Sequence, residues 1–360
     1  MKKFLYLFVL AALGIAAGPF MACSNSGSTS GVTYTDMITD SGYPSTFVTG
    51  IRRVEGSTHV YITGGYSEGS STVPLLYVGP LSGEGGTWYP IEPSATLAVG
   101  ENINSGNLYG PDNSSTAGEV NLVGTYQIES DNVTYGFYYS GPVDGSGDTW
   151  INLDPTSLLD GGDILLGTVP HSNMNGVVVG NFDTQLNEGR TFIYNTATAT
   201  YYELTKTGTT SISAYGIWWN GGTSYTITGG YHDPLLATEG EVGYLVDWDS
   251  ATQVASNWQY YNFQNQTNQV THFEGITSGG SEGTYNLAAA WITTGTGASG
   301  ASFAQISRNS DGTFGDAIWA EVVYPGAETT TGNTVYMNNV LGVYLLSGSA
   351  VTYPYIATVD

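Results

Sequence analysis

One recurring motif restricts the fold of this chain more than any other feature. A short run of β-branched and aromatic residues ends in small residues and then an aromatic. The copies are VYITGGY at 60–66, VNLVGTY at 120–126, VVVGNF at 177–182, YTITGGY at 225–231, YNLAAAW at 285–291 and VLGVY at 340–344. Their terminal aromatics stand 60, 56, 49, 60 and 53 residues apart. A period in this range marks an array of similar units rather than one irregular core. Between the copies lie more short runs rich in Tyr, Val, Ile, Thr and Trp, separated by Gly, Ser, Asn and Asp clusters. No amphipathic helical pattern interrupts them, so the pattern is all-β.

Each unit keeps one internal order. A candidate inner strand precedes the anchor aromatic, clearest at Thr49-Gly50-Ile51, Tyr215-Gly216-Ile217 and Glu274-Gly275-Ile276. After it come a polar loop and a third strand such as PLLYVGP, TYGFYYSGP, TFIYN or GYLVDW. A Gly/Asp-rich turn then leads to an aromatic that opens a fourth strand: Trp88, Trp150, Tyr202, Trp258 or Trp319. Four antiparallel strands in about 50 residues describe one blade of a β-propeller. The sixth unit has only 16 residues left after Tyr344, enough for a third strand but not a fourth. Residues 32–37 are strand-like and have no blade of their own, so they are expected to supply the missing outer strand. That splice closes the ring and covers two sheet edges open to aggregation. The expectation is one six-bladed domain over residues 32–360.

The double glycine, Tyr and Trp of these units resemble the kelch repeat. The turns SGEGGTW at 82–88 and DGSGDTW at 144–150 resemble the Asp-box hairpins of sialidase-like propellers. The second resemblance does not bring an active site with it. Sialidase-like sites hold an acidic sugar with three arginines, and this chain has only Arg52, Arg53, Arg190 and Arg308 in total. A galactose-oxidase-like copper site would need a cysteine in the propeller, and the chain's one cysteine is Cys23.

The start of the chain reads as an export signal. Lys2 and Lys3 precede an apolar run over residues 4–17, and Cys23 follows Gly18, Pro19, Phe20, Met21 and Ala22. This segment resembles a bacterial lipoprotein leader, which implies removal of residues 1–22, diacylation of Cys23, and a polar tether over residues 23–31. An extracytoplasmic protein, membrane-anchored at the outer membrane or cell surface, is therefore expected. A lone cysteine also excludes an intramolecular disulfide.

Charge narrows the partners. With 31 Asp plus Glu against 7 Lys plus Arg, the net charge is −24. Such a chain repels nucleic acid and anionic membrane surfaces, so membrane contact is expected only through the N-terminal lipid or leader. A neutral glycan or an envelope protein of positive charge remains as partner, and a monomer is expected.

The motifs also nominate side chains. Tyr66, Tyr126, Phe182, Tyr231 and Trp291 fall near one rim of such a ring, where they would either stack on sugars or wedge between blades. His232 and Asp233 follow one anchor, His232 as a ligand-binding candidate and Asp233 as a catalytic one. His272 and Glu274 lie two residues apart on an inner strand, where alternation places them on one face and makes them an acid–base candidate. Glu68, Asp183, Glu188, Glu239 and Glu241 are further acids near the rim. Asp144/Asp148 and Asp160/Asp163, with Asp247/Asp249 and Asp311/Asp316, offer oxygen ligands in Gly-rich turns, so calcium is the one cofactor weighed; turn chemistry explains them equally. The leading reading is a ligand-binding or protein-interaction module. A propeller glycoside hydrolase or lyase using carboxylates at the channel mouth is the alternative, and a scaffold of a surface assembly is the third.

Overall fold

The computed structural model describes residues 31–360 except 41, 99, 132, 148, 188 and 237–239. Cys23 and the leader, Asp148, Glu188 and Glu239 therefore lie outside the described residues. Six antiparallel sheets follow one another around a ring as a β-propeller. Strand β1 (Val32–Asp36) comes first in the chain but belongs to the last blade. Blade one runs β2 (Phe47–Arg53), β3 (Val60–Glu68), β4 (Ser71–Gly79), β5 (Thr87–Pro90). Blade two runs β6 (Ile103–Asn113), β7 (Glu119–Ile128), β8 (Tyr135–Pro142), β9 (Thr149–Leu153). Blade three comprises β10 (Leu165–Met174), β11 (Val177–Thr184), β12 (Arg190–Asn195) and β13 (Thr200–Glu203). In blade four the strands are β14 (Ser211–Gly221), β15 (Ser224–His232), β16 (Val242–Asp249) and β17 (Val254–Tyr261). Blade five holds β18 (Gln269–Ser278), β19 (Thr284–Thr293), β20 (Ser299–Arg308) and β21 (Phe314–Val322).

Blade six closes the ring as the residue count required. Its inner strand is split into β22 (Ala327–Thr330) and β23 (Thr334–Tyr336), both paired with β24 (Asn339–Leu346). Strand β25 (Thr352–Val359) follows, and β1 pairs with it from Val32↔Val359 to Asp36↔Tyr355. Side chains reinforce the splice: the hydroxyls of Tyr324 and Tyr344 both donate to Asp36 Oδ1, at 2.6 and 3.0 Å. The rings of those two tyrosines stack at 3.7 Å.

Apolar side chains fill the seams between blades. One cluster joins Val177, Val179 and Ile193 of blade three to Ile212, Ile227, Tyr244 and Val246 of blade four. The third-to-fourth strand turns pack ring on ring, Tyr77 against Trp88 at 4.8 Å and Tyr139 against Trp150 at 4.4 Å.

A second regularity lies beneath the motif. The pairing of inner and second strands slips at one common level in each of the first five blades, leaving Thr49, Tyr109 with Gly110, His171, Tyr215 and Glu274 as bulges; blades two to four slip a second time elsewhere. In blade six the inner strand breaks at the corresponding level, over residues 331–333. A bulge sharpens the local twist and re-aims a side chain. It also explains the recurring small residues. A Cβ at Gly229 would stand 2.0 Å from the Ser213 carbonyl oxygen, and one at Gly230 would stand 2.4 Å from the His272 ring. The glycine pair records how close the inner strand and the neighbouring blade approach.

Candidate functional site

The bulges bring residues from four successive blades together at the channel. Tyr109 meets the edge of His171 at 5.1 Å, His171 stacks on Tyr215 at 3.7 Å, and Tyr215 meets His272 at 4.3 Å. His272 Nδ1 then lies 3.1 Å from Glu274 Oε1. A cavity of about 180 Å³ opens beside this row between blades two and three. Its wall includes Asn107, Tyr109, His171, Asn181, Asp183 and Tyr215. Asn107 Oδ1 is buried without a hydrogen-bond donor. An orphaned acceptor of that kind costs free energy unless water or a ligand supplies the donor.

Electrostatics divide the two histidines. Burial, helped by the charge of His272, pushes the His171 pKa down to about 3, so His171 is a neutral wall of the cavity. Burial also opposes charge on His272, but Glu274, by charge and hydrogen bond, and Glu241 outweigh it and raise its pKa. Glu241 itself is raised, mainly by burial, with His272, Ser211 and His232 acting against it.

Both ring nitrogens of His272 are held: Nε2 lies 2.6 Å from the Ser213 hydroxyl and Nδ1 lies 3.1 Å from Glu274 Oε1. The Ser213 oxygen also accepts from the Gly230 amide at 3.2 Å. Serine, histidine and glutamate in this order have the spacing of a nucleophile triad. Ser213 is only 1% exposed, so here the serine orients the imidazole.

The other residues nominated from sequence sit as follows. Tyr126 and Phe182 are buried yet reach the cavity as part of its wall. The Tyr126 hydroxyl is bonded to Leu97 and Asn152, and the Arg190 guanidinium lies 4.7 Å over the Phe182 ring. Tyr231 is buried with Lys206 4.9 Å over its ring, and Trp291 is stacked on Phe263 at 4.9 Å. Their faces are therefore taken by packing. Tyr66 is half-buried against Tyr43 at 4.9 Å. His232 Nδ1 pairs with the Thr210 hydroxyl at 2.7 Å, and Asp233 caps a turn by accepting from the Leu235 amide at 2.9 Å. The turn acids serve likewise. Asp144 accepts from Ser146, Asp249 from Thr223 and Thr252, and Asp311 from Thr313, while Asp163 accepts from the Ile164 and Leu186 amides. Among the described residues no group of three His, Cys, Asp or Glu is placed to hold a metal ion, Asp160 included.

Sequence reasoning did not single out Asn107, Tyr109 or Asn181, and it placed Tyr215 on an inner strand without joining it to His171. The usable signal was the residue before the inner-strand glycine, since Thr49, Tyr109, Tyr215 and Glu274 all occupy that place.

No protein-family model matches the sequence, and no curated protein matches it. The kelch and Asp-box resemblances thus rest on the motif and turn residues alone. Similar solved structures include a luciferin-regenerating enzyme, at TM-score 0.46 and 12% identity over 91% of this chain and 95% of that one. A GH43 endo-arabinanase from Bacillus licheniformis has TM-score 0.41 and 12% identity over 89% and 95%. An exo-1,5-alpha-L-arabinanase from a bovine ruminal metagenomic library has TM-score 0.36 and 11% identity over 74% and 96%. Identity this low transfers neither residues nor activity.

Proposed function

We propose that this protein binds a neutral glycan, seating one sugar unit in the cavity between blades two and three. The observation that carries the reading is the cavity's chemistry. Its wall pairs aromatic rings with amide side chains, and its histidine is neutral. Sugars present CH faces to aromatic rings and hydroxyls to amides and carboxylates. Asp183 is the one charged residue in the wall, which disfavours an anionic ligand. The protein is exported and lipid-anchored through Cys23 in this account, which rests on the leader's sequence and would place the cavity among envelope or extracellular glycans. Radiolabelled palmitate incorporated in wild type but not in Cys23→Ser would support the anchor. A glycan array probed with the folded protein tests the ligand: binding to neutral oligosaccharides supports the reading, and an array with no hit contradicts it.

A second reading, glycoside hydrolysis or lyase chemistry, has one specific observation in its favour. The His272–Glu274 pair holds a transferable proton behind Tyr215, and Asp183 offers a second carboxylate on the cavity wall. Two carboxyl groups acting on one glycosidic bond is the general requirement of such enzymes. Cleavage of an array hit by wild type, and loss of cleavage with retained binding in Glu274→Gln, would establish this reading over simple binding.

A further inference from the structure

The arginines of this propeller differ in how their charge is met. Arg190 forks Glu203 at 2.8 and 2.7 Å, and Arg308 reaches Asp247 with two nitrogens as well as the Gly312 carbonyl. Arg52 is the exception. Its side chain is only 11% exposed, and its ion pair with Asp112 spans 4.0 Å, beyond hydrogen-bond length. Its buried Nε finds no acceptor, and unlike Arg190, whose buried Nη1 is also unmatched, Arg52 has no carboxylate at hydrogen-bond distance from its other nitrogens. Asp112 divides its carboxylate, Oδ2 accepting from the Asn175 amide at 2.7 Å while Oδ1 faces Arg52 at 4.0 Å. The guanidinium lies 5.6 Å from the ring centre of Trp218.

Placement makes this charge unusual. Arg52, Asp112 and Trp218 stand near the C-terminal ends of the inner strands of blades one, two and four. Blades one and four face each other in a ring of six, so Arg52 reaches across the channel axis. The cavity lies toward the opposite, N-terminal ends of the inner strands, at Ser105, Gly106 and Gly167. A guanidinium keeps its charge under ordinary conditions, and its planar fork suits two oxygens of one anion. Burying it without such a partner is costly, and the tryptophan face offsets only part of that cost.

We propose that the end of the channel opposite the cavity binds a small oxyanion, a carboxylate or phosphate group, on Arg52. The site is independent of the glycan reading, since none of its residues lines the cavity. Asp112 is its competitor: removing that carboxylate frees Arg52 for an exogenous anion.

Thermal unfolding at constant ionic strength tests this, with sodium acetate or inorganic phosphate replacing sodium chloride. Wild type should gain about 2 °C or more at saturation with at least one of the two anions. A shift with both identifies a general oxyanion site, and a shift with one identifies the group. Arg52→Gln should lose the shift, and Arg52→Lys should raise the half-effect concentration at least about tenfold, because it keeps charge without the fork. Asp112→Asn should lower that concentration, which keeps the test open if the arginine variants fold poorly. Neither anion shifting the wild type, or equal shifts in the Arg52 variants, would overturn the proposal.

Discussion

The ring carries two sets of equivalent positions, and they behave oppositely. The anchor positions at the end of each second strand are aromatic in all six units: Tyr66, Tyr126, Phe182, Tyr231, Trp291 and Tyr344. All but Tyr66 are buried. The bulge positions one strand inward share a backbone geometry but vary in residue type: Thr49, Tyr109, His171, Tyr215 and Glu274. Recurrence therefore marks the seams that every blade must pack. Departure from recurrence marks the channel, where the contributed residue varies from blade to blade. The two blades flanking the closure hold small or interrupted inner strands, whereas blades two to five bring the tyrosines, histidines and glutamate together.

Substitutions at the two sets should separate stability from ligand binding. Tyr231→Ala at an anchor should cost about 3–5 kcal/mol in denaturant unfolding, as truncation of a buried aromatic does. Gly229→Ala should cost about 3 kcal/mol, because the new Cβ meets a backbone carbonyl that cannot yield locally. Tyr215→Ala should cost less than about 1.5 kcal/mol, since the half-buried side chain borders a cavity. An equal loss of stability at Tyr231 and Tyr215 would erase the distinction.

Acidity should resolve the two channel histidines. His171 is held neutral with its pKa down at about 3, so the unfolded chain takes up a proton first as pH falls below 6.5. Stability should thus fall between pH 6.5 and about 3, and His171→Gln should flatten that limb. The His272 pKa is raised, so its pairing stabilises fully below 6.5 and the contribution fades as pH rises through the higher folded value. Glu274→Gln should remove that upper limb. Unfolding free energy measured across this range in both variants checks the signs. The smallest effect is expected at the turns: chelator should leave the melting temperature unchanged, because donors within the turns already occupy Asp144, Asp249 and Asp311. A drop on chelation would show that these carboxylates serve an ion instead.

Fold and site were unequally legible in the sequence for the same reason. Periodic spacing exposes whatever every blade repeats, so blade number, strand order and the splice of residues 32–37 could be counted. Spacing alone also joined His272 to Glu274, because two residues on one strand stay close even across a bulge. Tyr109, His171 and Tyr215 follow one another at 62 and 44 residues and are not of one residue type, so only the ring brings them together. Arg52 was equally hidden, since its partners are on blades two and four.

Calorimetry with the tightest neutral glycan from an array, on wild type, Tyr215→Ala and Tyr66→Ala, tests the central claim most directly. The account predicts at least about 100-fold weaker binding for Tyr215→Ala, from loss of stacking and wall shape together, with Tyr66→Ala close to wild type. Binding that survives in Tyr215→Ala but disappears in Tyr66→Ala would move the site to the rim and contradict it.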